Sequence, residues 1–212
     1  MGTAIAIATV VAVVAVLLAF SLGSSRTPTP RVAADTDPAT PASSSATRFG
    51  GAREDCSTRS EANFPGAFTS PRNLVVGPLV FVGGAYTDAS TVREFGGNKF
   101  PLLVKAGHTV TVRLSRRGRR VAGLAYGPLP QGETRLRDTY RSVTFVACRP
   151  GRASRRYSPG GPSGSHSDGV AVTFWSGFVL TRAPSCIPLD IYVDDAPSPR
   201  RVGFSLGRRC GQ

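Results

Sequence analysis

Short apolar bursts, often β-branched, alternate with turn-forming residues from Cys56 to the end of the chain. The 212 residues include 24 glycines and 17 prolines. A helical bundle does not tolerate that much interruption, whereas short strands joined by frequent turns do. The sequence therefore predicts an all-β domain, an antiparallel β-sandwich of about eight strands that is immunoglobulin-like in architecture.

The clearest strand signal lies in residues 100–115, FPLLVKAGHTVTVRLS, where residues 105–108 separate two strands. In the second strand Val110, Val112 and Leu114 alternate with polar residues, which is the period of a strand buried on one face. Residues 149–169 lack any periodicity and are predicted to form a long exposed loop. The other predicted strands are 73–83 with a break at Pro78, 121–126, 141–148, 170–180 with a bend at 176–177, 187–193 and 201–206.

Four cysteines, Cys56, Cys148, Cys186 and Cys210, lie in the predicted domain. Cys186 and Cys210 bracket two predicted strands, so a hairpin would bring their sulfurs together at its open end, which leaves Cys56 to pair with Cys148. Four cysteines allow three connectivities, of which this one is preferred. Disulfides imply an oxidising compartment. No C-x-x-C pair occurs and the two histidines are not spaced as ligands, so neither a metal site nor a cofactor is predicted.

An apolar segment without charge extends from Thr3 to Leu22. About twenty such residues can cross a hydrocarbon core of roughly 30 Å as a helix. Residues 1–22 are therefore predicted to be a transmembrane anchor. Small residues at Ala19 and Ser21 leave open the alternative of a cleaved signal peptide.

The orientation of this segment receives conflicting signals. Arg26 and Arg31 follow the apolar run while no basic residue precedes it, which under the positive-inside rule places the rest of the chain in the cytoplasm. The four cysteines favour an oxidising exterior instead. We predict a single-pass plasma-membrane protein with its C-terminal domain outside, or a secreted protein if the signal is cleaved.

Residues 23–55 are rich in Ser, Thr, Pro, Ala and Asp, with almost nothing to bury. Such a segment cannot offset the entropy lost on ordering, so it is predicted to be a disordered linker. The predicted organisation is thus an anchor or signal at 1–22, a linker at 23–55 and a disulfide-stapled β-sandwich at 56–212.

Catalytic motifs are weak in this chain. His166 lies in the stretch SGSHSD at 163–168, but neighbouring side chains in an extended loop cannot align as a catalytic triad. Of the acidic cluster Asp190, Asp194 and Asp195, two members fall in a proline-rich turn, where aspartate serves turn hydrogen bonds. The sequence predicts no catalytic residues and no enzyme, with an extracytoplasmic hydrolase as the least favoured alternative.

The formal net charge of +13 comes almost wholly from arginine, because Lys99 and Lys105 are the only lysines. Guanidinium groups bind phosphate and carboxylate through paired hydrogen bonds, so clustered arginines suggest anionic envelope polymers or lipid head groups as partners. Specific nucleic-acid binding is not predicted, because interleaved aromatics are missing. The alternative is that these arginines are solvated loop residues that reflect codon bias. The candidate anion-binding residues are Arg116, Arg117, Arg119 and Arg120 on a predicted hairpin tip, and Arg152, Arg155 and Arg156 in the long loop, with Arg200, Arg201, Arg208 and Arg209 near the C-terminus.

The C-terminal third contains the segments VTFVAC at 143–148, FWSGFV at 174–179, CIPL at 186–189 and VGFSLGRRC at 202–210. In the spacing of Cys, Gly and apolar residues this part resembles uncharacterised membrane-anchored or secreted proteins of GC-rich Gram-positive bacteria. The resemblance implies an extracytoplasmic β domain and brings no activity or site residues. The expected function is a cell-envelope binding or structural module; the alternative is a polyanion- or anionic-lipid-binding protein that acts through its arginines, and the oligomeric state is left open.

Overall fold

The computed structural model describes residues 51–127, 134–149 and 165–211. These ranges are mostly strand with one short α-helix, and nearly all strand pairs are antiparallel, which agrees with the prediction of an all-β sandwich. The predicted anchor 1–22 and nearly all of the linker lie outside them, as do Arg152, Arg155 and Arg156. Within the ranges given, no helix is long and apolar enough to span a membrane.

The strands are numbered in chain order over the described ranges. They are β1 (Ala52–Glu54), β2 (Leu74–Val76), β3 (Leu79–Phe81), β4 (Gly97–Lys99), β5 (Leu102–Lys105), β6 (Thr109–Leu114), β7 (Ala122–Ala125), β8 (Ser142–Val146), β9 (Ser165–Ser167), β10 (Val170–Trp175), β11 (Phe178–Thr181), β12 (Ser185–Val193) and β13 (Arg200–Leu206). The helix α1 spans Ala89–Phe95, and two 3-10 helices span Gly118–Arg120 and Leu136–Asp138.

The first sheet has the strand order β1-β8-β6-β12-β13. Its strands pair antiparallel except β1, which runs parallel to β8. The alternation predicted for β6 is confirmed, because Val110, Val112 and Leu114 are buried while their neighbours are half-buried. One face of this sheet therefore packs on the core and the other faces outward.

The second sheet has the order β2-β3-β5-β10-β9, and a small third sheet has the order β4-β11-β7. The two are linked because β4 leads into β5 and β10 leads into β11, with Phe100 N donating to Gly177 O at 2.9 Å between them. The bend predicted at 176–177 is confirmed. The Tyr126 ring packs on Gly177, where any Cβ would lie 2.2 Å from a ring carbon, and the Tyr126 hydroxyl donates to Phe100 O at 2.8 Å.

The main core lies between the sheets and contains Val112, Ile191 and Phe204 from the first, with Phe81 and Trp175 from the second. A smaller apolar cluster lies on the outer side of the second sheet. It contains Ala67, Val80, Leu103, Val172 and Phe174, with Phe64 and Phe68 packed against it. Residues 64–68 therefore cover part of the outer face of the second sheet, and we call residues 56–68 the covering segment.

Both disulfides of the preferred connectivity are present. Cys56 pairs with Cys148, joining the start of the covering segment to the end of β8, and Cys186 pairs with Cys210. The sequence separations closed by these bonds are 92 and 24 residues.

Three sequence predictions need correction. The described ranges contain more strands than the eight or so expected, together with the unpredicted helix α1. Residues 165–169 of the predicted exposed loop form β9 and a turn to β10, with φ of 51° at Asp168 and 78° at Gly169. Ser165 and Ser167 are buried there, so the strand lacks the apolar alternation that marks strands in sequence. Finally, the segment of Arg116 to Arg120 is no hairpin tip, because it connects β6 to β7 in another sheet.

Candidate anion-binding site

Three charged side chains form a row across the outer face of the first sheet. Asp190 on β12 lies directly opposite Arg113 on β6 and directly opposite Arg201 on β13. The neighbouring residues Leu189 and Ile191 belong to the core, so the period of two places this row on the outward face. The pairing register of three strands therefore sets the carboxylate between two guanidinium groups.

The Asp190 carboxylate contacts both arginines. Its Oδ2 lies 3.0 Å from Arg113 Nη2, and its Oδ1 lies 3.7 Å from Arg201 Nε. The guanidinium of Arg113 also stacks over the Tyr192 ring, 5.2 Å from its centroid. The Asp190 side chain is only 12% exposed whereas that of Arg201 is 83% exposed. Asp190 thus orients two guanidinium groups, one held close to the sheet and one open to solvent.

A 3-10 helix brings two further arginines to this row. Gly118 is buried against β12, and a Cβ there would lie 2.9 Å from Pro188 O. Ser115 N donates to the same Pro188 oxygen at 3.0 Å. The close approach that glycine permits holds Arg116 and Arg119 beside the row.

These side chains line a pocket of about 470 Å³. Among the described lining residues, Arg113, Arg116, Arg119 and Arg201 are positive and Asp190 is negative, so four positive charges face one negative charge. The remaining lining residues are Ser115, Pro188, Leu189, Val202 and Gly203. Converging guanidinium groups of this kind can bind a phosphate or carboxylate through paired, charge-assisted hydrogen bonds.

The Cys186–Cys210 disulfide adjoins one end of the pocket. A Cβ on the lining residue Gly203 would lie 2.6 Å from Cys210 Sγ and 3.2 Å from Cys186 Sγ. Cys210 N donates to Ser205 Oγ at 3.2 Å, which further holds the C-terminal residues on β13. In the first sheet β13 is an edge strand whose strand partner is β12, and Thr87 forms a bridge with its last residue, Leu206. The disulfide therefore helps to hold the strand that carries Arg201.

Of the arginines predicted from the sequence to bind anions, some line the pocket and others do not. Arg116 and Arg119 line the pocket, whereas Arg117 and Arg120 are exposed outside its lining. Arg152, Arg155 and Arg156 lie outside the described residues, so nothing places them. The C-terminal cluster is split, since only Arg201 joins the pocket.

Two other members of that cluster point elsewhere. Arg200 Nη1 lies beside Gly77, and Arg209 stacks over the Tyr86 ring at 4.6 Å. Sequence reasoning missed Arg113 and Asp190 as site residues. Part of the signal was available, because Arg113 sits at a polar position of β6, whose alternation was predicted, and Asp190 lies in the predicted strand 187–193.

The SGSHSD stretch has structural contacts where it is described. Ser165 Oγ accepts from Ala62 N at 3.0 Å, and Ser167 Oγ accepts from Ala67 N at 3.2 Å. The Asp168 carboxylate accepts from Gly66 N at 2.9 and 3.0 Å. These polar side chains therefore fasten the covering segment to the edge of the second sheet.

His108 and Asp194 connect two turns at one end of the first sheet. His108 Nδ1 lies 2.9 Å from Asp194 Oδ2, and Thr109 N donates to Asp194 Oδ1 at 2.9 Å. Partial burial by itself raises the pKa of Asp194, but the Thr109 amide and the His108 imidazole together outweigh it and lower that pKa. Among the residues placed, no group of three or more His, Cys, Asp or Glu could hold a metal ion.

Comparisons with known proteins give no relative for this chain: no family model, no curated protein and no solved structure matches it.

Proposed function

We propose that this chain is an exported cell-envelope protein whose β-sandwich is a binding module, and that it binds an anionic group of an envelope polymer or lipid at the arginine pocket. The observation that carries the proposal is the convergence of Arg113, Arg116, Arg119 and Arg201 on one pocket beside the Asp190 carboxylate. The immunoglobulin-like form of the sandwich belongs to the proposal too, and the two facing sheets support it. No catalytic role is part of it.

The geometry favours the binding of a compact oxyanion by oriented guanidinium groups over a general attraction between opposite charges. Arg113 is fixed by Asp190 and by the Tyr192 ring, so little side-chain freedom is lost when it binds. Arg116, Arg119 and the exposed Arg201 supply the further donors. An anion that reaches the fixed guanidinium meets further, exposed guanidinium groups beside it, which suits a phosphate or carboxylate on a flexible polymer.

Export is supported by the two disulfides, since such bonds persist in oxidising compartments. The apolar segment 1–22 and the linker 23–55 would hold the domain away from the membrane surface on its outer side. Cell fractionation with a membrane-impermeant thiol reagent tests this part. We expect labelling of intact cells only after reduction, whereas labelling of unreduced protein in the cytosol would overturn the export proposal.

Anion binding is tested with the full chain reconstituted in neutral phosphatidylcholine vesicles. The probes are a fluorescent glycerol-phosphate oligomer and a uronic-acid oligomer, which present phosphate and carboxylate respectively, and binding is read by fluorescence anisotropy. The test variant is Arg116→Gln/Arg119→Gln and the matched control is Arg117→Gln/Arg120→Gln. Both variants remove two positive charges from the same short segment, but only the first pair lines the pocket.

We expect the pocket variant to weaken binding by about tenfold or more, since a hydrogen bond to a charged group is worth roughly 1.5 to 3 kcal/mol. The control should weaken binding by no more than about threefold, because it changes only the general field, which salt screens. Equal losses in the two variants would show that charge alone attracts the probe, and the pocket proposal would then be abandoned.

A further inference from the structure

A second pocket lies on the small sheet β4-β11-β7 and shares no lining residue with the arginine pocket. Its volume is about 370 Å³. Most of its lining residues are apolar or aromatic, and three carry polar side chains. They are Phe95, Gly97, Asn98, Lys99, Ala125, Thr134, Phe178 and Leu180.

The strand period explains why this face is apolar and open. Val179 and Leu124 belong to the main core, so Phe178 and Leu180 face the other way. Phe178 is paired with Lys99 on one side and Ala125 on the other. Its side chain stays 45% exposed, although it sits in the middle strand of the sheet.

A second aromatic residue stands at the rim. Phe95 is the last residue of α1 and is 68% exposed, the largest exposed fraction among the exposed large apolar residues of the described ranges. Gly96 follows in the left-handed conformation, φ 66°, and ends the helix there. Two rings thus flank one opening, and contiguous apolar surface of this kind marks binding sites in soluble domains.

Among the described residues of the lining, Lys99 is the only charged one. Small-molecule sites typically have volumes of about 300 to 1,000 Å³, an apolar lining and a few polar groups that fix orientation. One cation beside an apolar cleft matches a ligand with one negative charge at the end of an apolar chain. A phosphate monoester carries about two negative charges at neutral pH and would leave one unmatched.

We propose that this pocket binds a medium-chain carboxylate. Its alkyl chain lies against Phe95, Phe178 and Leu180, and its carboxylate pairs with the Lys99 ammonium. This proposal is independent of anion binding at the arginine pocket, because no residue belongs to both linings.

The chain provides an internal control, since Lys99 and Lys105 are its only lysines. Lys105 lies over the Phe68 ring at 4.8 Å, within the covered region of the second sheet. The full chain in phosphatidylcholine vesicles is treated with an amine-reactive acylating reagent, with and without decanoate, and acylation of each lysine is followed by peptide mass spectrometry.

We expect decanoate at about ten times its Kd to slow acylation of Lys99 by roughly tenfold, because only the free fraction reacts. Lys105 should change by less than about twofold, in line with small effects at sites outside the ligand contact. Decanol and decyl phosphate should protect Lys99 less than decanoate does. Equal protection of the two lysines, stronger protection by decyl phosphate, or no protection would each overturn the proposal.

Two variants test the pocket itself. Phe178→Ser and Phe95→Ser change exposed rings, so each should fold and each should remove the protection of Lys99. Val170→Ser is the matched control, because Val170 is also an exposed apolar strand residue, 42% exposed, outside the pocket. If Lys99 is protected without decanoate as protein concentration rises, and Phe178→Ser abolishes that effect, the occupant is a second copy of the chain and the carboxylate proposal is wrong.

Discussion

The two large sheets of this domain differ in what lies on their outer faces. On the second sheet, Phe64, Ala67 and Phe68 of the covering segment pack over Val80 and Leu103, which are fully buried. On the first sheet, the outer face instead carries the charged row of Arg113, Asp190 and Arg201. Within the described residues, the outer face of the second sheet is therefore covered in part by apolar side chains, whereas the outer face of the first sheet is mostly polar.

This difference indicates how the domain separates stability from binding. Apolar side chains on both faces of the second sheet add hydrophobic burial, at roughly 25 cal/mol for each Å² removed from water. The outer face of the first sheet is mostly polar, so an exposed charged residue such as Arg201, 83% exposed, can change there at little cost in stability. A change in the covered region should therefore alter folding stability, while a change at an exposed arginine of the charged row should alter mainly ligand binding.

The largest loss in the free energy of unfolding is expected when the Cys56–Cys148 disulfide, which links the covering segment to the first sheet, is removed. In the chain-entropy model, removing the Cys56–Cys148 bond by Cys56→Ser/Cys148→Ser should lower the free energy of unfolding by about 4.6 kcal/mol. The matched variant Cys186→Ser/Cys210→Ser should lower it by about 3.5 kcal/mol, because it opens a shorter loop. Urea unfolding of the two variants measures both values.

Anion affinity should separate the same two variants. The Cys186–Cys210 bond adjoins Gly203 of the arginine pocket, so its loss should weaken binding of the glycerol-phosphate oligomer. Loss of the Cys56–Cys148 bond should leave the affinity of the folded fraction unchanged. Weaker binding in both folded variants would mean that the covering segment affects the arginine pocket, and that stability and binding are not separated between the two sheets.

The next largest loss of stability is expected on the outer face of the second sheet, under the covering segment. Leu103→Ala removes a fully buried side chain and should lower the free energy of unfolding by about 2 to 5 kcal/mol, the usual range for such a truncation. Arg201→Ala, at a side chain 83% exposed, should change it by no more than about 0.5 kcal/mol. Similar losses in these two variants, measured by urea unfolding, would show that the charged row is as important for stability as the covered core.

The sequence already contained part of this distinction. The strands β3 and β5 read LVF and LLVK and are buried at successive positions, as strands covered on both faces are. The strand β6 reads TVTVRL and alternates. The β class, the disulfide pairing, the inward face of β6 and the bend at 176–177 were therefore predictable, because each follows from local pattern or from simple hairpin geometry.

The site was less predictable, because it depends on register between distant segments. Asp190 lies 77 residues from Arg113 in sequence, and only strand pairing makes them neighbours. Counting arginines along the chain selected Arg117 and Arg120, which are exposed outside the pocket lining, and overlooked Arg113. The position of Arg116 and Arg119 depends on the contact between Gly118 and Pro188. No local sequence pattern predicts that contact.

A smaller effect, of opposite sign for stability and binding, is expected at Asp190. Asp190→Asn removes the carboxylate that contacts Arg113 and Arg201, so the free energy of unfolding should fall by about 1 to 3 kcal/mol. The pocket loses its one negative charge, so the glycerol-phosphate oligomer should bind several-fold more tightly. Asp195→Asn, in the exposed turn after β12, is the control for net charge. A loss of both stability and affinity in Asp190→Asn would show that the carboxylate is needed to shape the pocket.

The smallest effect is expected where the chain leaves the first sheet for the covering segment, at Glu54 and Asp55. Glu54 is buried, and its Oε1 has no hydrogen-bond partner within the part of the chain that the structure describes. Burial raises the pKa of Glu54 above its ordinary value of 4.5, and a hydrogen bond with Thr58 offsets this only in part. The side-chain and backbone hydrogen bonds from Ser57 lower the pKa of Asp55 below 3.8.

These adjacent carboxyl groups should therefore give opposite pH dependences. A raised folded-state pKa makes the contribution of Glu54 greatest below pH 4.5, and this contribution is lost as the pH rises through the folded-state pKa. The contribution of Asp55 is present above pH 3.8 and is lost as the pH falls. Urea unfolding from acid to neutral pH should show Glu54→Gln gaining stability over the native chain as the pH rises, while Asp55→Asn loses stability relative to it. If Glu54→Gln instead loses stability relative to the native chain as the pH rises, a partner in the folded protein must stabilise the Glu54 carboxylate, and the expected sign is wrong.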